Sequence, residues 1–241
     1  MNTRPREQIK TLIAIALTFG SGAMDVTAFT RLGNVFASVM TGNIVLSGLA
    51  LARGSAVLLS HTLVAMASYV AGVAGGTWIA HGFKAGEPRR HSGDRVLPPH
   101  VGRTLLAQLT LLAVFAAGWE ASGARPAGAA EFCLLALAAA AMGTQSTAVL
   151  DMSLTHVSTT YLTGTLTQLV SSLARPGQDT SQALRRFGVL FALLCGAALG
   201  ALLVTTAAAA VPAVPLAALL TTLVLTTVPV RDEVSPGRPP R

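Results

Sequence analysis

Asp25 stands alone in the first apolar stretch of the chain, after about fourteen apolar or small residues that begin at Thr11. An ionisable side chain at that depth of a membrane helix is costly and by default functional, facing the bundle interior or water. It is read here as a proton- or cation-sensitive group. The structural alternative is an interfacial carboxylate at a helix end, paired with Arg31. Thr41-Gly42-Asn43 is the second candidate. A glycine between two hydrogen-bonding residues, inside the run 35–52, interrupts a helix and frees backbone N–H and C=O groups. In a bilayer those groups must be met by protein, water or substrate. Thr163-Gly164-Thr165 repeats the pattern in the run 157–174, with Gln168 one turn on. Broken helices at matching places in two halves point to a transport site, so all seven residues are candidate substrate contacts. The alternative is plain packing, with glycine admitting a neighbouring helix and Thr and Asn bonding across the contact.

These residues are set in a chain that is 52% hydrophobic and 11% charged over 241 residues. A soluble domain carries about a quarter charged residues, so the polar surface for a water-facing body is missing. Apolar runs at 11–30, 35–52, 56–83, 104–119, 132–150, 157–174, 187–209 and 211–230 come near the ~20 residues needed to cross a bilayer. Most are apolar all round, as helices in lipid are. One membrane domain, 1–241, is expected, with a disordered tail at 231–241. The first helix is expected to be retained, although Ser21-Gly22-Ala23 resembles a cleavage site.

A shift of 122 residues superposes Thr41-Gly42 on Thr163-Gly164 and Leu51-Ala52-Arg53 on Leu173-Ala174-Arg175. Two related halves follow, about 1–125 and 126–241. If all eight runs cross from a cytoplasmic N-terminus, 11 Lys and Arg fall inside and 6 outside. If the two Thr-Gly runs re-enter or are interrupted, six crossings remain. Then 14 fall inside, with Arg31, Arg53 and Arg125 outside. The positive-inside rule prefers the second arrangement. The fold expected is an all-α membrane protein of six transmembrane helices in two inverted three-helix repeats, with both termini cytoplasmic. Eight spanning helices in two parallel repeats is the alternative.

Ser21-Gly22, Asp25, Phe29, Leu32-Gly33, Val35-Phe36 and Met40-Thr41-Gly42-Asn43, in that spacing, resemble the YoaK-like family of bacterial membrane proteins. The similarity runs the length of the chain and is weaker at Thr159-Thr160-Tyr161-Leu162-Thr163-Gly164. It implies a multi-pass cytoplasmic-membrane protein and supplies neither catalytic residues nor a substrate. Thr165 stands where the first half has Asn43, so the two boxes are not chemically equivalent.

Several classes fall away. The net charge of +7 lies between apolar runs without interleaved aromatics, which speaks against nucleic acid. Cys133 and Cys195 sit inside apolar runs and read as packing residues. The five histidines, His61, His81, His91, His100 and His156, lack metal-ligand spacing, and only His156, beside the second box, is worth a test. Hydrolase and phosphate-loop signatures are missing, so no enzyme, cofactor or metal is expected. Gly72, Gly75, Gly76, Gly196 and Gly200 have helix-packing spacing, within the chain or between copies of it. Gln145 and Ser146 are read as hydrogen-bonded packing or as cavity lining. The function expected is passage of a small solute or ion. A non-transporting protein that binds a lipid or protein partner is the rival, with an intramembrane enzyme third.

Overall fold

The computed structural model describes residues 5–82, 99–152, 162–174 and 180–227. Most of the loop 83–103, the tail 231–241, His91, His156 and Arg175 therefore lie outside the described residues. Among the described residues the chain forms α1 (Pro5–Arg31), α2 (Met40–Ala52), α3 (Ala56–Gly82), α4 (Pro99–Ala121), α5 (Ala129–Asp151), α6 (Leu162–Leu173), α7 (Thr180–Thr206) and α8 (Ala213–Thr227). A 3-10 turn, Ala208–Ala210, leads into α8.

Among the described residues six stretches are long and apolar enough to cross a membrane: Glu7–Arg31, Ala56–Gly82, His100–Ala121, Ala129–Asp151, Thr180–Thr206 and Ala208–Thr227. The two helices that carry the Thr-Gly boxes are not. α2 has 13 residues and α6 has 12. At 1.5 Å per residue they reach about 20 and 18 Å, against a hydrocarbon core of about 30 Å. The eight-helix alternative is therefore corrected to six candidate spans. The start of the run, 35–39, is non-helical chain, which leaves α2 too short to span.

Polar contacts at the helix ends give the directions. Arg185 of α7 lies 3.8 Å from Glu7, and the Arg31 guanidinium donates to the Val204 carbonyl at 3.0 Å, so α1 and α7 run parallel. His61 and Glu131 meet near the starts of α3 and α5, which also run parallel. His100 near the start of α4 faces Asp151 at the end of α5, so that pair is antiparallel. Trp119 near the end of α4 donates to the Ala208 carbonyl between α7 and α8. The starts of α1, α4 and α7 thus share one end of the bundle, the proximal end, with the ends of α3, α5 and α8. α2 lies at the distal end and α6 at the proximal end.

The bundle is built on two close crossings. α1 packs chiefly on α7 and α8, and α5 chiefly on α3 and α4, while α2 leans on α3 and α6 on α7. In the α1–α7 crossing Gly22 lies against the Leu193 carbonyl and Gly196 against the Phe19 carbonyl. In the α3–α5 crossing Gly143 lies against the Tyr69 carbonyl and Gly72 against the Ala140 carbonyl. Lipid tails are as apolar as the side chains, so van der Waals contact between closely approaching backbones holds such helices together. Gly72, Gly76, Gly196 and Gly200 are occupied by neighbours in the same chain; Gly75 alone of the five faces open space. These four therefore serve packing within the chain. Around the crossings pack Ile13, Leu17, Met24, Phe115, Trp119 and Leu219, all essentially inaccessible.

Gly72→Ala and Gly196→Ala should each lower the thermal stability of the purified protein, because a methyl group there runs into backbone and overpacking costs about 1–3 kcal/mol. Gly75→Ala should leave stability unchanged. Thermal unfolding in one detergent compares the three.

Candidate functional site

The family-like motif builds a segment of chain that doubles back on α1. Thr18, Ser21, Gly22 and Asp25 recur at intervals of three and four residues and share one face of that helix. α1 ends at Arg31, and Leu32 still donates to the Ala28 carbonyl at 2.9 Å. Gly33 and Asn34 then take positive φ values of 91° and 58° and reverse the chain. Glycine is needed at 33 for a second reason, since any side chain there would enter the ring of His61. Leu32 and Val35 anchor the turn at 0% exposure, and Phe36 stacks on Phe29 with ring centroids 5.2 Å apart.

Asp25 receives the returning chain. Ser38 donates its backbone N–H to Oδ1 at 2.7 Å and its hydroxyl to Oδ2 at 2.5 Å. The backbone N–H groups of Ala37 and Val39 lie close enough to favour the carboxylate electrostatically. Asp25 lies six residues before the end of α1, so the chain has returned about 9 Å along the helix. Three successive N–H groups, at 37, 38 and 39, lead directly into α2, whose first turn has no side-chain cap of its own. A carboxylate from another helix therefore does the work of an N-cap and faces the positive end of the α2 dipole.

Asn43 completes the segment. Its Oδ1 accepts from Phe36 N–H at 2.9 Å and its Nδ2 donates to the Phe36 carbonyl at 2.7 Å, so one amide pairs with both polar groups of one residue. The Asn43 side chain is fully buried. Ser47 bonds to the Asn43 carbonyl and to Thr62 of α3, each at 2.9 Å, tying α2 to its neighbour. The helix break thus lies at 32–39, and Thr41-Gly42-Asn43 forms the first turn of α2 instead of interrupting it. Thr41 is exposed, while Gly42 abuts Phe36 and Val39. The polar atoms of Asp25 and Asn43 are engaged with backbone.

The second box is placed differently. Thr163, Gly164 and Thr165 open α6; Thr165 is buried, Thr163, Gly164 and Gln168 are exposed, and Gly164 has open space beside it. The residues that lead into α6, 153–161, lie outside the described ones. With α2 at the distal end and α6 at the proximal end, the two boxes do not converge on one site.

A polar chain that composition did not single out crosses the bundle between them. Gln108 of α4 donates to Gln145 of α5 at 2.7 Å, and Gln145 donates to Ser21 of α1 at 2.8 Å. Ser21 donates to the Leu17 carbonyl. Beside it Tyr69 donates to Ser146 at 2.8 Å. Gln145 and Ser146 were legible as candidates; Gln108 and Ser21 were not, though a glutamine four residues after a threonine on one face of an apolar helix is a usable signal. Gln108 Oε1 and Thr18 Oγ1 are buried with no hydrogen-bond partner. Among the described residues no group of three His, Cys, Asp or Glu could hold a metal.

Asn43→Ala would strand the N–H and C=O of Phe36, each buried unpaired group costing about 1–3 kcal/mol. Hydrogen exchange across 32–39 should accelerate in that variant and stay unchanged in Thr41→Ala, as mass spectrometry of the purified protein will read.

Comparison with known proteins agrees with this architecture. Residues 13–225 match a family model described as "Protein of unknown function (DUF1275)". Over 164 residues the chain is 31% identical to the UPF0700 transmembrane protein YoaK of Bacillus subtilis (strain 168), an alignment covering 68% of this chain and 67% of that protein. No solved structure matches. The matched region takes in α2, α3, α4, α5, α6 and α7, most of α1 and nearly all of α8: the chain belongs to the DUF1275 family of multi-pass membrane proteins.

Proposed function

We propose that this chain passes a small solute or ion across the cytoplasmic membrane, between two inverted three-helix repeats that span as α1, α3, α4 and α5, α7, α8. The observation that carries the reading is the non-helical segment 32–39, folded back into the bundle onto Asp25. Non-helical backbone at membrane depth is tolerated only where protein encloses it or where it lines a water-filled path, and interrupted segments of this kind mark the sites of transporters. The glycine crossings support the repeat. A shift of 121 carries Phe19 and Gly22 of α1 onto Ala140 and Gly143 of α5, and a shift of 124 carries Tyr69 and Gly72 of α3 onto Leu193 and Gly196 of α7. The two crossings then exchange, contact for contact. α1 and α5 run in opposite directions, which makes the halves inverted.

In this reading Asp25, Thr41, Gly42 and Asn43 shape the first gate, with Asp25 as the charge-sensitive element. Thr163, Gly164 and Thr165 belong to its counterpart at the proximal end. Gln108, Gln145 and Ser21 lie on the path between. No catalytic residue, cofactor or metal enters. One observation favours the rival reading of a lipid-binding protein: an apolar groove of ≈ 750 Å³ between α1, α7 and α8, lined among others by Phe19, Leu203 and Ala217.

Stopped-flow light scattering on proteoliposomes challenged with urea, glycerol or potassium acetate tests transport directly. Faster relaxation than in protein-free vesicles supports it, and identical relaxation for every probe leaves the lipid-binding reading. Asp25→Asn should insert and purify normally, since an amide oxygen still accepts from Ser38, yet lose most of that flux. Unchanged flux in this variant would leave Asp25 a purely structural cap.

Orientation is tested separately. With Cys133 and Cys195 replaced, a cysteine at Arg53 or Arg125 should react with a membrane-impermeant thiol reagent in intact cells, and one at Ser92 should not. Labelling at Ser92 would reverse the orientation, placing the proximal end and both termini outside.

A further inference from the structure

A second polar cluster sits at the distal end, between α3, α5 and the turn that starts the doubled-back segment. His61 lies in the second turn of α3 and is 4% exposed. Its Nδ1 is 2.7 Å from the Val57 carbonyl oxygen, which can only accept, so Nδ1 carries a proton. Its Nε2 is buried without a hydrogen-bond partner and lies 3.3 Å from Glu131 Oε1. A neutral ring with its proton on Nδ1 leaves Nε2 as an acceptor beside a carboxylate oxygen, and two acceptors at that distance repel. One added proton, on Nε2 or on the carboxyl, converts the repulsion into a hydrogen bond. Phe132 stacks on the ring with centroids 4.1 Å apart, and its π face stabilises the ring when charged. On its other flank the ring touches Gly33, where a side chain would collide with it.

We propose that His61 and Glu131 form a proton-binding site whose proton clamps α5 to the turn at Gly33. With the proton bound, Glu131 is held on the ring, and α3, α5 and the turn form one packed unit. Without it the carboxylate, whose side chain is 24% exposed, turns to water and the ring loses its partner. The proton comes from the aqueous phase at the distal end and returns there; no other bond is made or broken. The remaining charged groups at this end have other engagements. Asp25 holds Ser38, Arg31 holds the Val204 carbonyl, and Arg53, Glu120 and Arg125 are exposed.

The test uses the full chain in lipid nanodiscs. Hydrogen exchange across 32–39, corrected for the intrinsic rate, should be about tenfold slower near pH 5 than near pH 8, the factor that a charge-assisted hydrogen bond supplies. Glu131→Gln should abolish the difference, because its amide can donate to Nε2 without an added proton. His61→Gln should abolish it too, and Glu120→Gln should preserve it. Histidine ¹⁵N spectra read the ring itself: His61 Nε2 should gain its proton at a different pH in Glu131→Gln than in the wild type. A wild type with no pH dependence, a Glu131→Gln variant with the wild-type dependence, or coincident His61 titrations would each overturn the proposal. Neither measurement needs flux, so the outcome is independent of transport.

Discussion

The carboxylate of Asp25 bonded to the backbone and side chain of Ser38 is the contact on which the distal half of this structure depends. A helix satisfies its own N–H and C=O groups, so six spans can sit in hydrocarbon without help. The segment 32–39 cannot. It carries non-helical backbone groups into the bundle, and α2 begins there with the positive end of its dipole toward Asp25. An anionic oxygen pair is the side chain best matched to that load. Asn43 meets the remaining demand at Phe36, where a donor and an acceptor on one amide match a donor and an acceptor on one residue.

The long helices supply the frame against which this segment is pressed. At both crossings a glycine removes the one carbon that would keep two backbones apart, so α1–α7 and α3–α5 approach to carbonyl contact. Helices so closely docked have little freedom to slide, and Gly33 meets His61 only because α3 is held where it is. The relay from Gln108 through Gln145 to Ser21 crosses the same region. Hydrogen bonds of this kind between membrane helices contribute about 0.6 kcal/mol on average, so the relay adds register more than strength. Two buried oxygens beside it, on Gln108 and Thr18, remain unpaired.

The two glycine crossings use the same kind of carbonyl contact, with different polar groups around them. Residue 146, the counterpart of Asp25 under the shift that superposes α1 on α5, is a serine that accepts from Tyr69 of α3. Thr165 replaces Asn43. Among the described residues, a carboxylate and an amide that support a doubled-back backbone are found at Asp25 and Asn43. Crossings that are built alike while the polar groups beside them differ give the two ends of the bundle different chemistry.

Much of this was readable before any coordinates. A membrane span must be about 20 apolar residues long and its helix bonds close within itself, so hydropathy and length locate it without tertiary information. That is why the apolar runs and the isolation of Asp25 were legible; the preference for six crossings over eight came from the distribution of Lys and Arg, and the shortness of α2 and α6 came from the structure. The involvement of Ser21, Asp25, Gly33 and Asn43 in one motif was legible too, though not what they do. Partners were decided by the tertiary structure. Asp25 is thirteen residues from Ser38, His61 seventy from Glu131 and Gln145 more than a hundred from Ser21. No local periodicity encodes which of many buried groups a side chain will meet. The fold likewise sent the two boxes to opposite ends, because an odd number of spans separates them. The helix break fell at 32–39 and not at Gly42, because a glycine in the first turn of a helix does not break it, whereas Gly33 and Asn34 with positive φ do.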